Sequence, residues 1–275
     1  MVPRAQKQPF SALSVEGPMA RNVADCALMF DCEAGAHPLD PMSHPAPASS
    51  YASAAARPRK PQRVAFSVDL GIAPVIHREV RAAVKAAAEK LAGDGVAVEE
   101  THPDLADAEK NFMILRGAIY VARIGPLLVK HRHLLKPEII QNTEFGLGLK
   151  LTEVVAAEIA YGELIRRVAR FFETYDLLIC PAVMCPPFPV ETRYVEELDG
   201  VKLQGYMGWL VMTYALSMAA CPILSIPGGF TADGLPIGLQ VVAPMRSEAR
   251  LFSHGAYLEQ LFGLAGRVPI DPVSG

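Results

Sequence analysis

The sequence has few aromatic residues and no strong excess of charge of either sign. Aromatic side chains make up 7% of its 275 residues, with a single tryptophan, and the formal net charge is −3 with a sequence pI of about 6.2. Proteins that bind nucleic acid or anionic membranes usually carry a basic excess. We therefore expect neither nucleic acid nor a membrane as a partner.

Uninterrupted apolar runs are also short. None reaches the roughly 18 residues that a membrane-spanning helix needs. The first residues, MVPRAQKQPFSAL, contain Arg4 and Lys7 but no apolar stretch typical of a secretory signal. A cytoplasmic location is the default expectation. With 51% hydrophobic residues, the chain can still bury a sizeable core in one large domain or two modest ones.

Cysteine is scarce and irregularly spaced. The five cysteines are Cys26, Cys32, Cys180, Cys185 and Cys221. An odd number without regular spacing argues against a disulfide framework. Cys180 and Cys185 have no second Cys/His pair at a suitable spacing, so they make a poor zinc site. We predict buried apolar thiols, with no metal and no cofactor.

Helical and strand patterns alternate along the chain, which predicts an α/β fold with a mixed sheet flanked by helices. The spacing of apolar residues predicts helices over 21–35, 77–93, 152–175, 205–219 and 247–262, with one or two more between 104 and 152. Apolar runs predict strands over 63–68, 96–100, 176–181, 223–227 and 238–244. The Pro/Ala/Ser-rich stretch 36–61 is predicted to be a surface connection, and residues 1–16 to be extended.

Four stretches together resemble the amidase signature family, and they occur in the family's order. They are GPMARNVADCALMFDCEAGAHPLDP, DLGIAPVIHREVRAAV, YDLLICPAV and CPILSIPGGFTADGLPIGLQVVAP. The last stretch is the most specific, because its first strand, its Asp-Gly turn and its Gly-Leu-Gln strand all match the family's pattern together. The resemblance implies a single α/β/α domain covering 1–275. It also implies hydrolysis of a carboxylic amide to an acid and ammonia or an amine.

The resemblance also shows what this sequence lacks. The family uses a Ser–Ser–Lys triad in a Gly/Ser-rich segment, which precedes the GPMAR stretch and also supplies the oxyanion hole. No such segment is present, and Met1-Val2-Pro3 corresponds to the strand that follows it. The chain is thus expected to be the C-terminal portion of an amidase, incomplete at its N-terminal side and inactive alone. Its partners would be a small amide substrate and the missing segment or a second copy.

The remaining residues do not rebuild that triad, so we predict no catalytic residue. The only serine pair, 49–50, lies in the Pro/Ala connection, and the nearest lysines, Lys60 and Lys85, fall in a linker and on a polar helix face. No G-x-S-x-G elbow occurs. Ser217 and Ser225 are interpreted as small residues in buried elements. Arg21 and Asp25, at the GPMAR helix entry, are expected to brace the fold through a cap and an ion pair.

The loop that follows strand 176–181 is the expected substrate-binding region. Ligands of α/β sheets bind beyond strand ends, and the resemblance places this loop beside the acyl part of the substrate. The predicted substrate-binding residues are Pro181, Ala182, Val183 and Met184, and a second group of Trp209, Thr213 and Tyr214. Trp209 is equally compatible with a core role. An apolar lining would favour an aliphatic or aryl amide.

A basic cluster, Lys130-His-Arg-His133 followed by Lys136, is interpreted as a solvated helix end near Pro137. On a helix, His131 and His133 point apart and cannot share a metal ion, whereas on a strand they could; the solvated helix end is the favoured interpretation.

Two other functions stay open. One is a non-catalytic scaffold or binding module derived from an amidase. The other, disfavoured because no pattern for glutamine capture is recognisable, is a tRNA-dependent amidotransferase component. A missing segment would leave the sheet incomplete, with the side chains of Val64, Phe66, Leu178, Ile223 and Val241 partly uncovered.

Overall fold

A five-stranded mixed sheet forms the centre of the computed structural model, which describes residues 8–11, 13 and 15–264. Its strands are β1 (Arg63–Phe66), β2 (Ala97–Glu100), β3 (Leu177–Pro181), β6 (Ile223–Phe230) and β7 (Pro236–Val242). Their order is β2-β1-β3-β7-β6. Strands β4 (Glu197–Leu198) and β5 (Val201–Lys202) form a separate hairpin. The predicted 1–16 segment lies largely outside the described residues.

The sheet is mixed because β1, β2 and β3 are parallel, whereas β7 is antiparallel to both β3 and β6. The parallel neighbours are joined by helical crossovers, and β6 and β7 are joined by the turn at Asp233-Gly234. This arrangement confirms the predicted α/β class.

Eight α-helices surround the sheet in the part of the chain that the structure describes. They are α1 (Val23–Glu33), α2 (Tyr51–Ala55), α3 (Arg78–Gly93), α4 (Ala108–His131), α5 (Pro137–Gly148), α6 (Leu151–Phe171), α7 (Val211–Ser217) and α8 (Glu248–Phe262). Short 3-10 turns, Arg132–Leu134 and Gly208–Leu210, precede α5 and α7. The predicted 205–219 helix is therefore shorter than expected. The predicted surface connection 36–61 contains α2.

Both faces of the sheet are covered by helices. Strand residues such as Leu178 pack with α4, α6 and α7, and their neighbours on the opposite face pack with α1, α2, α3 and α8. The expectation of uncovered sheet faces is wrong for three of its five residues, because Val64, Leu178 and Val241 are fully buried. Phe66 and Ile223 are half-buried. The helices of this chain supply the cover that we expected from elsewhere.

The first helix begins as its sequence predicts. Asn22 caps α1 by accepting a hydrogen bond from the backbone N–H of Asp25, with 2.7 Å between the two atoms. The Asn22 side-chain amide in turn donates to the Asp25 carboxylate at 2.9 Å. Asp25 therefore acts at the helix entry, where a carboxylate also interacts favourably with the helix dipole.

All five cysteines are free thiols. Cys26, Cys180 and Cys185 are buried and Cys221 is half-buried, as expected for apolar thiols. Cys32 is the exception, because it lies on the exposed face of α1.

Helix α4 with its following turn, Ala108–Leu134, is long and apolar enough to cross a membrane by length and composition. The sequence expectation considered only apolar runs without any charged residue. The apolar stretch of α4 is interrupted by Arg116, Arg123 and Lys130, so it was not counted there. Its first half is committed to the protein core, through residues such as Phe112.

Asp176 joins the start of β3 to the start of β1. One carboxylate oxygen accepts hydrogen bonds from the backbone N–H groups of Gln62 and Arg63 at 2.8 and 3.1 Å, and the other binds the Arg250 guanidinium at 3.0 Å. Burial opposes ionisation, but the two N–H donors and the Arg250 charge outweigh it, so the pKa of Asp176 is lowered.

Asp176→Asn should lower the free energy of unfolding by about 1–2 kcal/mol at pH 7, because it weakens hydrogen bonds to a charged acceptor. A lowered folded-state pKa gives stability that is present above the unfolded value of about 3.9 and is lost as the pH falls. The difference from wild type, measured by urea unfolding, should therefore shrink between pH 7 and pH 3. The exposed Asp233→Asn serves as the control. A difference that stays constant with pH would contradict this assignment.

Candidate functional site

The end of β3 carries the loop on which the site is built. All five residues of β3 are buried. Beyond Pro181, the backbone N–H of Ala182 donates to the Gly238 carbonyl at 2.9 Å, and the carbonyl of Met184 accepts from His77 N–H at 2.9 Å. The loop is thereby fixed to β7 on one side and to the start of α3 on the other.

A cavity of about 320 Å³ opens beside this loop. It lies between the loop, the first turn of α3, the 3-10 turn before α7 and the beginning of β7. The residues that line it are Val80, Val183, Cys185, Pro186, Pro187, Phe188, Trp209, Pro236, Ile237 and Gly238. Such an apolar cavity fits an aliphatic or aromatic group better than a charged one.

Two of the seven predicted substrate-binding residues line the cavity. They are Val183 and Trp209, which lie there together with Phe188. The Trp209 and Phe188 rings pack edge to face, with 5.3 Å between their centroids. This pair forms one wall of the cavity.

The other five predicted residues do not line the cavity. Pro181 and Met184 are buried in the core, and half-buried Ala182 lies between the loop and β7. Tyr214 is buried and stacked on Phe112, with 4.5 Å between the ring centroids, and burial raises the pKa of its phenol. Thr213 is exposed and donates a hydrogen bond to the Ala182 carbonyl at 3.3 Å.

The cavity wall depends on one buried amide and one glycine. Gln240 of β7 donates to the carbonyls of Pro181 and Met212 at 3.0 and 3.3 Å, which holds α7 against the end of β3. A Cβ at Gly238 would lie 3.0 Å from the Cβ of Ala182, so glycine allows the loop to approach the strand.

Sequence reasoning missed the residues on the far sides of the cavity. The sequence pattern places Val80 in the apolar stripe of α3 and Pro236 in a turn. The segment Cys185–Phe188 follows directly on the predicted loop residues. Its proline-rich composition was a usable signal, because prolines hold a loop open at the end of a strand.

Exposed hydroxyl groups lie next to the cavity. Ser217 and Ser225 belong to α7 and β6, as expected, but both side chains are exposed, which corrects the expectation of burial. Ser217 donates to the Thr213 carbonyl at 3.2 Å, and Ser225 Oγ lies beside Gly238. Thr213 contacts the loop at Ala182 and Ser225 lies beside Gly238 of the cavity lining; with Ser217, which binds Thr213, we call these residues the hydroxyl edge.

The serine pair and lysines considered for a replacement triad have structural roles or lie in solvent. Ser50 caps α2 by accepting from the backbone N–H of Ser53 at 3.1 Å. Lys60 pairs with the Asp94 carboxylate at 3.0 Å on the protein surface. Lys85 is exposed on α3.

The thiol that lines the cavity is not activated. Burial raises the pKa of Cys185 to about 11, so this thiol is protonated at neutral pH. Within residues 8–11, 13 and 15–264, no group of three or more His, Cys, Asp or Glu side chains is arranged to hold a metal ion.

Comparison with known proteins identifies the family of this chain. The Amidase family model matches residues 1–252. An acylamidase from Rhodococcus erythropolis is 30% identical over 265 residues, which are 93% of this chain and 54% of the relative. A glutamyl-tRNA(Gln) amidotransferase subunit from Synechococcus sp. is 28% identical, over 96% of this chain and 58% of the relative.

Solved structures have the same fold. A bacterial aryl acylamidase of the amidase signature family superposes with a TM-score of 0.82 at 20% identity, covering 98% of this chain and 59% of that one. A 6-aminohexanoate cyclic dimer hydrolase superposes with a TM-score of 0.73 at 25% identity, and the match covers 90% of this chain and 55% of the hydrolase.

This chain spans about half the length of the curated relatives that it matches. The family model nevertheless accounts for 252 of its 275 residues in one continuous match. The chain therefore belongs to the amidase family.

Proposed function

We propose that this chain is the substrate-holding, C-terminal portion of an amidase that cleaves an aliphatic or aryl carboxylic amide to an acid and ammonia or an amine. The apolar cavity at the end of β3 is the observation that carries the proposal. Its lining of Val183, Trp209, Phe188 and neighbouring prolines suits a hydrophobic acyl or aryl group. Family membership supplies the reaction type.

Catalysis, in this proposal, requires a nucleophile and an oxyanion hole from polypeptide outside these 275 residues. The relatives are nearly twice as long as the region they share with this chain, which supports such a contribution. The exposed hydroxyl edge lies next to the cavity and is a suitable place for that polypeptide to pack. The partner would be the N-terminal portion of an amidase.

An amidotransferase component is the alternative enzyme, because relatives of that kind are also similar. Its amide donor would be polar, whereas the cavity lining is dominated by apolar side chains. A non-catalytic binding module is the other alternative. It predicts the same ligand binding without any dependence on a catalytic portion.

Binding can be measured with the only tryptophan as the reporter, because Trp209 lines the cavity. We expect benzamide or hexanamide to change Trp209 fluorescence with a saturable dependence, and glutamine to have no effect. Val183→Asp should weaken binding at least about tenfold, since a charge would be placed in an apolar wall. Val190→Asp, at an exposed position of the same loop, is the matched control. A response to glutamine alone would support the amidotransferase alternative instead.

Hydrolysis by the 275-residue chain should not exceed the buffer rate, measured as 4-nitroaniline release from 4-nitroacetanilide. The family's Gly/Ser-rich catalytic segment is not among these residues, and a single oxyanion-hole donor alone is worth about 100–1,000-fold in rate. Turnover that disappears in Ser217→Ala or Ser225→Ala would contradict the proposal, because it would make a residue of the hydroxyl edge the nucleophile.

A further inference from the structure

Exposed apolar side chains are concentrated where α4 turns into α5. We call residues 127–137 the α4–α5 tip. Val129 and Leu134 are 86% and 71% exposed, and Leu127 is 42% exposed. Only 22% of the most apolar stretch of this helix is buried inside the protein. Large apolar side chains exposed together at one end of a helix pair are a candidate interaction site.

The same tip carries a cluster of positive charge. Lys130, Arg132 and Lys136 are exposed among the apolar residues, together with two histidines. The acidic groups of α5 have cationic partners of their own: Glu144 binds Arg132 at 2.7 Å, and Glu138 binds Arg193 of the loop after β3. Lys130 and Lys136 therefore give the tip a local positive charge, although the net charge of the whole sequence is −3.

The tip is held on a rigid support. Helices α4 and α5 approach so closely that a Cβ at Gly146 would lie 2.3 Å from the Gly117 carbonyl oxygen. The first half of α4 is anchored in the core through buried residues such as Phe112 and Leu115. Because that half is committed to the protein, the helix cannot span a bilayer, and only its end is available to a surface.

We propose that the α4–α5 tip docks on an anionic membrane surface. Val129 and Leu134 would enter the boundary between headgroups and acyl chains, and Lys130 and Lys136 would pair with lipid phosphates and carboxylates. Apolar side chains interleaved with lysines are the combination that holds helices at an anionic interface. The sequence expectation against a membrane partner considered only overall charge and spanning segments, and it does not cover a local surface of this kind.

The test is co-sedimentation of the 275-residue chain with vesicles of phosphatidylcholine containing 30% phosphatidylserine, and with phosphatidylcholine alone. We expect binding to the anionic vesicles that weakens as salt is raised. Lys130→Ser/Lys136→Ser should weaken it roughly 30-fold, at about 1 kcal/mol for each lysine. Val129→Glu/Leu134→Glu should abolish it.

Matched controls separate the tip from the rest of the surface. Lys85→Ser/Lys110→Ser removes two exposed lysines of α3 and of the beginning of α4, and Met19→Glu charges a residue that is 93% exposed beside α1. Both should bind like wild type. Absence of binding to anionic vesicles would overturn the proposal. So would concentration-dependent self-association that Val129→Glu/Leu134→Glu abolishes, because the tip would then be an interface between two copies of the chain.

Discussion

Strand β3 has no exposed residue, so its backbone N–H and C=O groups must all be paired within the protein. It pairs in parallel with β1 and antiparallel with β7. Asp176 fixes its beginning to β1, and Gln240 fixes its end to α7. A shift of β3 would break the hydrogen bonds that Asp176 and Gln240 make at its two ends. The loop that follows β3 is therefore held in one position, and this loop in turn positions the walls of the cavity.

The site that results is suited to holding a substrate. Its walls are apolar, the Cys185 thiol in the wall stays protonated because burial raises its pKa, and the hydroxyl edge lies beside the cavity outside its lining. An amidase needs an activated nucleophile and an oxyanion hole as well. In the function that we propose, this chain contributes the cavity and other polypeptide contributes the catalytic groups, which is consistent with a pocket that has no recognisable triad beside it.

Much of this structure was predictable from the sequence, since local patterns determine it. The Asn22 cap, the buried β3 and the mixed sheet follow from side-chain type and apolar spacing. The cover over both sheet faces was not predictable, because it depends on which helices pack against which face. The cavity was predicted only in part, since Val80 and Pro236 are far in sequence from the predicted loop and meet it only through the tertiary fold.

The most direct test of the central claim is a hybrid enzyme. The matching 54% of the Rhodococcus erythropolis acylamidase would be replaced by this chain, and amide hydrolysis would be measured over aliphatic and aryl substrates. We expect a folded hybrid that hydrolyses amides, with a substrate preference that shifts when Val183→Asp is introduced into the part contributed by this chain. A folded hybrid that hydrolyses no amide, or one whose preference ignores Val183, would contradict the assignment of this chain as the substrate-holding portion.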